Sequence, residues 1–130
     1  MMKKFILLLA VAVFAACSDN NHKLTHDGAR AAAESFYAML VHGESARYVD
    51  ALSGMLDADS LTRREMVEVV TQFIRREQDA HQGIVSAVAQ RDTIYADSLA
   101  QVFIDVTYGD STTEHVMLPL VYTRGEWKMR

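Results

Sequence analysis

At Gly83 the spacing of apolar residues changes from one every three or four positions to one every second. That switch sets the order of the fold, because period 3.6 buries one stripe of a helix and period 2 buries one face of a strand. Upstream, Ala29, Ala32, Ala33, Phe36, Tyr37 and Leu40 recur at helical spacing. Thr25 to Asp27 can cap that helix by accepting from its free amides, and Gly43 can end it in a left-handed turn. A second, shorter helix is expected from Glu44 or Ser45, with Tyr48, Val49 and Leu52 inward, ending by Gly54. Thr62-Arg63-Arg64-Glu65 reads as a capping box for a third helix, with Leu61 and Met66 as its hydrophobic staple. Met66, Val69, Val70, Phe73 and Ile74 form the stripe of this helix, and His81 and Gly83 mark its end.

Downstream, strands are predicted over residues 84–90, 99–108, 113–123 and 127–130, separated by turn residues such as Gly109-Asp110-Ser111 and Arg124-Gly125-Glu126. The second strand alternates most regularly, with Ala100, Val102, Ile104, Val106 and Tyr108 on one face. Gln101, Phe103, Asp105 and Thr107 lie on the other. Pro119 has no amide to donate, so its nitrogen must face an edge or a bulge. Helices followed by hairpin-connected strands predict an α+β domain: three N-terminal helices packed on a curved, mainly antiparallel four-stranded sheet.

Ahead of the domain, residues 1–4 supply a basic start and residues 5–14 an unbroken apolar run. Ten residues reach about half of a ~30 Å hydrocarbon core, too short for a permanent span but suited to a secretory signal. Phe14-Ala15-Ala16-Cys17 follows and resembles the lipobox of bacterial lipoproteins, in which the cysteine is acylated and becomes the new N-terminus. Cys17 is the single cysteine of the 130 residues, so no intrachain disulfide can form. The resemblance implies a signal peptide at 1–16, a lipidated Cys17 with a polar tether through residue 24, and a domain at 25–130. Its implied location is the bacterial cell envelope, anchored to the outer membrane through Cys17. Ser18-Asp19 after the cysteine is similar to the export tag of surface-displayed Bacteroidetes lipoproteins.

Charge narrows the partners. Thirteen basic residues stand against seventeen acidic ones, and loss of Lys3 and Lys4 with the leader moves the formal charge from −4 to −6. An acidic surface without runs of Lys or Arg repels phosphate backbones, which excludes nucleic acid as a partner. No Gly-rich phosphate loop, serine elbow or metal-ligand spacing occurs. No cofactor or metal is therefore expected.

The order of elements resembles the nuclear-transport-factor-2-like superfamily, and within it small Bacteroidetes lipoproteins of unknown function. The residues that carry the likeness run from Ala33 to Leu40 with Gly43, through Val106-Thr107-Tyr108-Gly109-Asp110, to Gly125-Glu126-Trp127-Lys128-Met129. The resemblance implies a sheet bent around the helices into a cone with a pocket at its open end. Enzymes of the superfamily often place an Asp or His there as general base, and many relatives bind ligands or partners or self-associate through the sheet.

Asp105 and His115 are the residues that could form such an acid/base couple if their face lined the cone. Alternation alone places Asp105 on the solvated face instead. His42 and His81 stand at helix ends, where a cationic ring favours the dipole. His22 and His26 flank the tether without metal-ligand spacing. Tyr37, Tyr48, Tyr108, Tyr122 and Trp127 are the candidate pocket residues, each an apolar body with a polar tip. The reading is a non-enzymatic envelope module for a small apolar ligand or an envelope protein. Its alternatives are an acid/base enzyme using Asp105 and His115, and a self-associating protein that forms a homodimer.

Overall fold

The computed structural model describes residues 23–130. The leader, Cys17 and the tether as far as His22 lie outside the described residues. In chain order the elements are α1 (His26–Val41), α2 (Ser45–Asp50), a short 3-10 turn (Ser53–Met55) and α3 (Ser60–His81). They are followed by β1 (Ile84–Tyr95), β2 (Leu99–Tyr108), β3 (Thr113–Thr123) and β4 (Glu126–Met129). The four strands pair antiparallel in sequence order, so three helices pack on a simple meander. None of the described helices is long and apolar enough to cross a membrane.

Helix α1 is bounded as its sequence demands. Thr25 Oγ1 accepts from the Gly28 amide at 2.9 Å. At the other end Gly43, at φ +70°, donates to Leu40 O while Glu44 donates to Met39 O, a Schellman closure. Ala29, Ala32, Ala33 and Phe36 lie on the inner face of the sheet with Ala100, Val102, Ile104, Val106 and Tyr108. Small alanines let the α1 backbone approach the strands closely, and branched side chains from β2 fill the remaining space.

Helix α3 departs from its expected start. Asp59, not Thr62, is the N-cap, and its carboxylate accepts from the Thr62 amide at 2.8 Å. A carboxylate there also meets the positive end of the helix dipole, which a threonine hydroxyl does not. Leu61 therefore sits in the first turn, 60% exposed, and makes no staple. Of the expected stripe only Val70 is fully buried, and Val69 faces solvent. The reason is the neighbour: α3 packs against α2, which is six residues long and covers a narrow strip.

Strand β1 is longer than the alternation suggested, running through Gln90 to Tyr95. Two irregularities in its register with β2, at Ile84/Ser86 and Ala89/Arg91, explain the difference. The second inserts a residue and reverses which side chains face inward, so Ala87 and Ala89 are followed inward by Asp92 and Ile94. The Ala89 amide donates to Glu34 Oε2 of α1 at 2.8 Å. The Asp92 side chain, only 1% exposed, is held under α1 by Arg30 at 2.6 Å and His26 Nδ1 at 2.5 Å. Pro119 O accepts from Arg130 N just beyond the last β3–β4 pair. The proline nitrogen thus faces the side where the ladder ends.

Candidate functional site

The end of the sheet at the β2–β3 turn gathers residues from five elements. Tyr37 comes from the last turns of α1 and Tyr48 from the middle of α2. Both bridge the main core and the smaller cluster around Leu40, Val49 and Val70. Tyr108 is the last residue of β2, opposite Ile84 of β1. Glu114 follows on β3, opposite Val106 and therefore on the inner face, and its Oε2 accepts from the Tyr108 hydroxyl at 3.4 Å. Glu77 reaches the group from α3, close enough to Tyr108 to act on it electrostatically.

The end of α3 is fixed to this corner. Gly109 N donates to Gly83 O at 2.9 Å and Asp110 N to His81 O at 3.0 Å. The His81 ring tilts against Tyr108 with centroids 4.9 Å apart, and His81 Nδ1 meets Asp110 Oδ2 at 3.0 Å. Asp110 also accepts from the hydroxyl and the amide of Thr112. These bonds, the Thr112 hydroxyl foremost, hold the Asp110 carboxyl down to about 2.

Burial is the main cause that raises the Tyr37 hydroxyl to about 12, and Tyr48, Tyr108 and Glu114 add to it. Tyr108 is also raised to about 12, by burial and then by Glu114 and Glu77. Burial raises Tyr48 as well. All three are therefore neutral donors with apolar faces at ordinary pH. Glu77 Oε2 is buried and has no hydrogen-bond partner in the structure. Beside it lies a cavity of about 80 Å³, enclosed by the C-terminal ends of α1 and α3 and the start of β1.

The five aromatic residues expected in one pocket fall into two groups. Tyr37, Tyr48 and Tyr108 converge as described. Tyr122 sits at the other end of β3 and Trp127 opposite it on β4, edge to face with centroids 5.2 Å apart. Trp127 borders a separate cleft of about 300 Å³ between α1, α2 and β4, and its Nε1 donates to Lys23 O at 2.8 Å. Charged groups at that cleft are already satisfied within the protein: Arg47 by Glu44 at 2.7 Å, Lys128 by Glu126 at 2.8 Å and by Asp50 O at 2.9 Å.

Asp105 and His115 are brought together but not into the cone. They are directly opposed on β2 and β3, with His115 Nδ1 2.5 Å from Asp105 Oδ1. Both point away from the helices, and their side chains are 32% and 82% exposed. That face also carries Phe103, covered by the Arg91 guanidinium at 4.4 Å, and the exposed Val88 and Met117. The couple expected for a cone-pocket enzyme is thus an outer-face ion pair, because strict alternation along β2 commits its even-numbered residues to the core. His42 caps α1, and His26 serves Asp92. Among the described residues no group of three or more His, Cys, Asp or Glu side chains is placed to share a metal ion.

Glu77 and Glu114 were not singled out by the sequence. Glutamates on an amphipathic helix and at a strand start read as solvated, and their only signal is proximity to tyrosines in three dimensions.

The chain is similar in structure to a Campylobacter jejuni protein described as a nuclear-transport-factor-2-like transpeptidase. The TM-score is 0.58 at 13% sequence identity, over 75% of this chain and 92% of the other. That likeness shows the fold: a nuclear-transport-factor-2-like α+β domain. No protein-family model matches the sequence, and a search of curated proteins finds no match either.

Proposed function

We propose that this chain is a bacterial envelope lipoprotein whose nuclear-transport-factor-2-like domain is a non-enzymatic module that binds a small ligand at the end of the sheet where Tyr37, Tyr48 and Tyr108 converge. The observation that carries the binding role is the convergence of Tyr37, Tyr48 and Tyr108 from three separate elements around Glu114 and Glu77. Neutral hydroxyl donors on apolar rings and a few carboxylate acceptors are the parts of a small-molecule site. The same group supplies no serine or cysteine nucleophile, so the transpeptidase description of the structural relative is not carried over. The acid/base alternative loses its support because Asp105 and His115 lie on the opposite face.

Anchoring rests on Cys17 behind Ala15-Ala16 and a short apolar run. Acyl chains contribute about 0.8 kcal/mol per buried methylene, so two or more make a lasting anchor. Cys17→Ala is expected to abolish metabolic palmitate labelling and release the protein from membranes. Unchanged labelling would remove the lipoprotein reading. The binding role is tested by melting the purified protein against a metabolite panel. A ligand at a hundredfold excess over its Kd stabilises by about 2.7 kcal/mol, and that gain should disappear in Tyr37→Ala. A panel without a single shift would count against a binding module.

Self-association is the second reading, and the uncovered outer sheet face favours it. Val88 and Met117 are 50% and 46% exposed there, beside Phe103. Sedimentation showing a monomer at all concentrations would exclude it.

A further inference from the structure

Resting on the binding-module reading above, we propose that the ligand of the tyrosine–glutamate site presents a primary alkylammonium group, whose N–H bonds fill the vacant acceptor at Glu77. A buried carboxylate oxygen without a donor is costly, and a charged N–H donor satisfies it best. Glu77 Oε2 is such an oxygen. The cavity beside it, about 80 Å³, is lined by Leu40, Val41, Ile74 and Ile84 together with the polar Gln78 and Gln82. That volume lies well below the roughly 300–1,000 Å³ of sites that enclose a drug-sized molecule. It suits a small head group.

The electrostatics around the cavity favour a cation from several directions. Both α1 and α3 present their C-terminal ends to it, where the aligned peptide dipoles place partial negative charge. Glu77, Glu114 and Asp110 are the charged groups acting on Tyr108, and neither lysine nor arginine is among them. His81 is engaged with Asp110. Tyr37, Tyr48 and Tyr108 do not line the cavity, so the Glu77 carboxylate and the helix ends carry the preference. A carboxylate or phosphate ligand meets repulsion from the same groups. A quaternary ammonium carries the same charge but has no N–H for Glu77.

The test uses the full-length protein, titrated with n-butylammonium chloride, with uncharged 1-pentanol and with tetramethylammonium chloride, at constant ionic strength. Ring resonances of Tyr37 and Tyr108 are followed by NMR. The expected result is butylammonium binding at least tenfold tighter than either comparison compound, and at least tenfold weakening of butylammonium in Glu77→Gln, with 1-pentanol weakened less. If Glu77→Gln fails to fold, the wild-type ratio of amine to alcohol decides alone. Equal binding of butylammonium and 1-pentanol overturns the cationic class and leaves the binding module standing. Equal binding of tetramethylammonium overturns the donor role toward Glu77. Silence of the tyrosine resonances to all three overturns the site itself.

Discussion

Gly109→Ala tests the corner that holds the site. A Cβ built on Gly109 lies 2.3 Å from Gln82 O, 2.9 Å from Gln82 Cβ and 3.1 Å from Gln82 C. The first and last of these are backbone atoms, so no side-chain rotation relieves the overlap. Either the end of α3 or the β2–β3 turn must move. Both backbone bonds across the junction, Gly109 N to Gly83 O and Asp110 N to His81 O, then lengthen or break. Overpacking costs typically 1–3 kcal/mol and each lost hydrogen bond about 1 kcal/mol. A net destabilisation of about 3 kcal/mol follows, a large part of the 5–15 kcal/mol that holds a domain together. For a domain of this size that lowers Tm by roughly 12–24 °C. The control is Gly54→Ala, whose added Cβ meets nothing within 4 Å and whose φ is not positive. Reduced chain entropy should leave it neutral or stabilised by about 0.4–1 kcal/mol. Thermal denaturation followed by circular dichroism compares the two directly. If Gly109→Ala melts within 2–3 °C of wild type (under 1 kcal/mol), the close backbone approach is not real, and the placement of Glu77 and His81 loses its basis.

Three further outcomes are expected. Asp92→Ala removes the common acceptor of Arg30 and His26 beneath α1, and should cost about 1–3 kcal/mol in denaturant unfolding; Asp57→Ala, which removes a pair exposed on both sides, should stay within about 0.5 kcal/mol. Trp127→Phe deletes the bond to Lys23 O at the start of the described chain; amide exchange should quicken at residues 23–26 while β2 stays protected. Tyr37 and Tyr108 ionise at about 12 in the folded protein against 10.0 unfolded. Between those values the folded state holds more protons, so stability falls as pH rises from 10 toward 12. A spectrophotometric titration in which all five tyrosines ionise together near 10 would contradict that.

Much of the fold can be read in the residues themselves because its signals are local. Ala100 to Tyr108 alternate without interruption, and β2 has the boundaries and the inward face that alternation requires. Thr25 and Gly43 bound α1 through bonds to amides and carbonyls a few positions away. Alternation also sent Asp105 outward, and the structure puts it there. Signals that depend on a partner strand or helix were not readable in the same way. The end of β1 was hidden by an irregularity at Ala89/Arg91 whose existence depends on pairing with β2. Asp92, charged and buried, contradicts any hydropathy pattern until Arg30 and His26 are placed above it.

The sequence by itself determined the order of elements and the face that β2 buries. Periodicity and capping act over three or four residues, so the chain carries them without help from the fold. Only the tertiary structure decided which tyrosines share a site, and that Glu77 and Glu114 join them. Residues 37, 48, 77, 108 and 114 become neighbours only when the ends of α1 and α3 meet the strand ends at Gly109. Packing geometry sets that meeting, and no spacing along the chain encodes it.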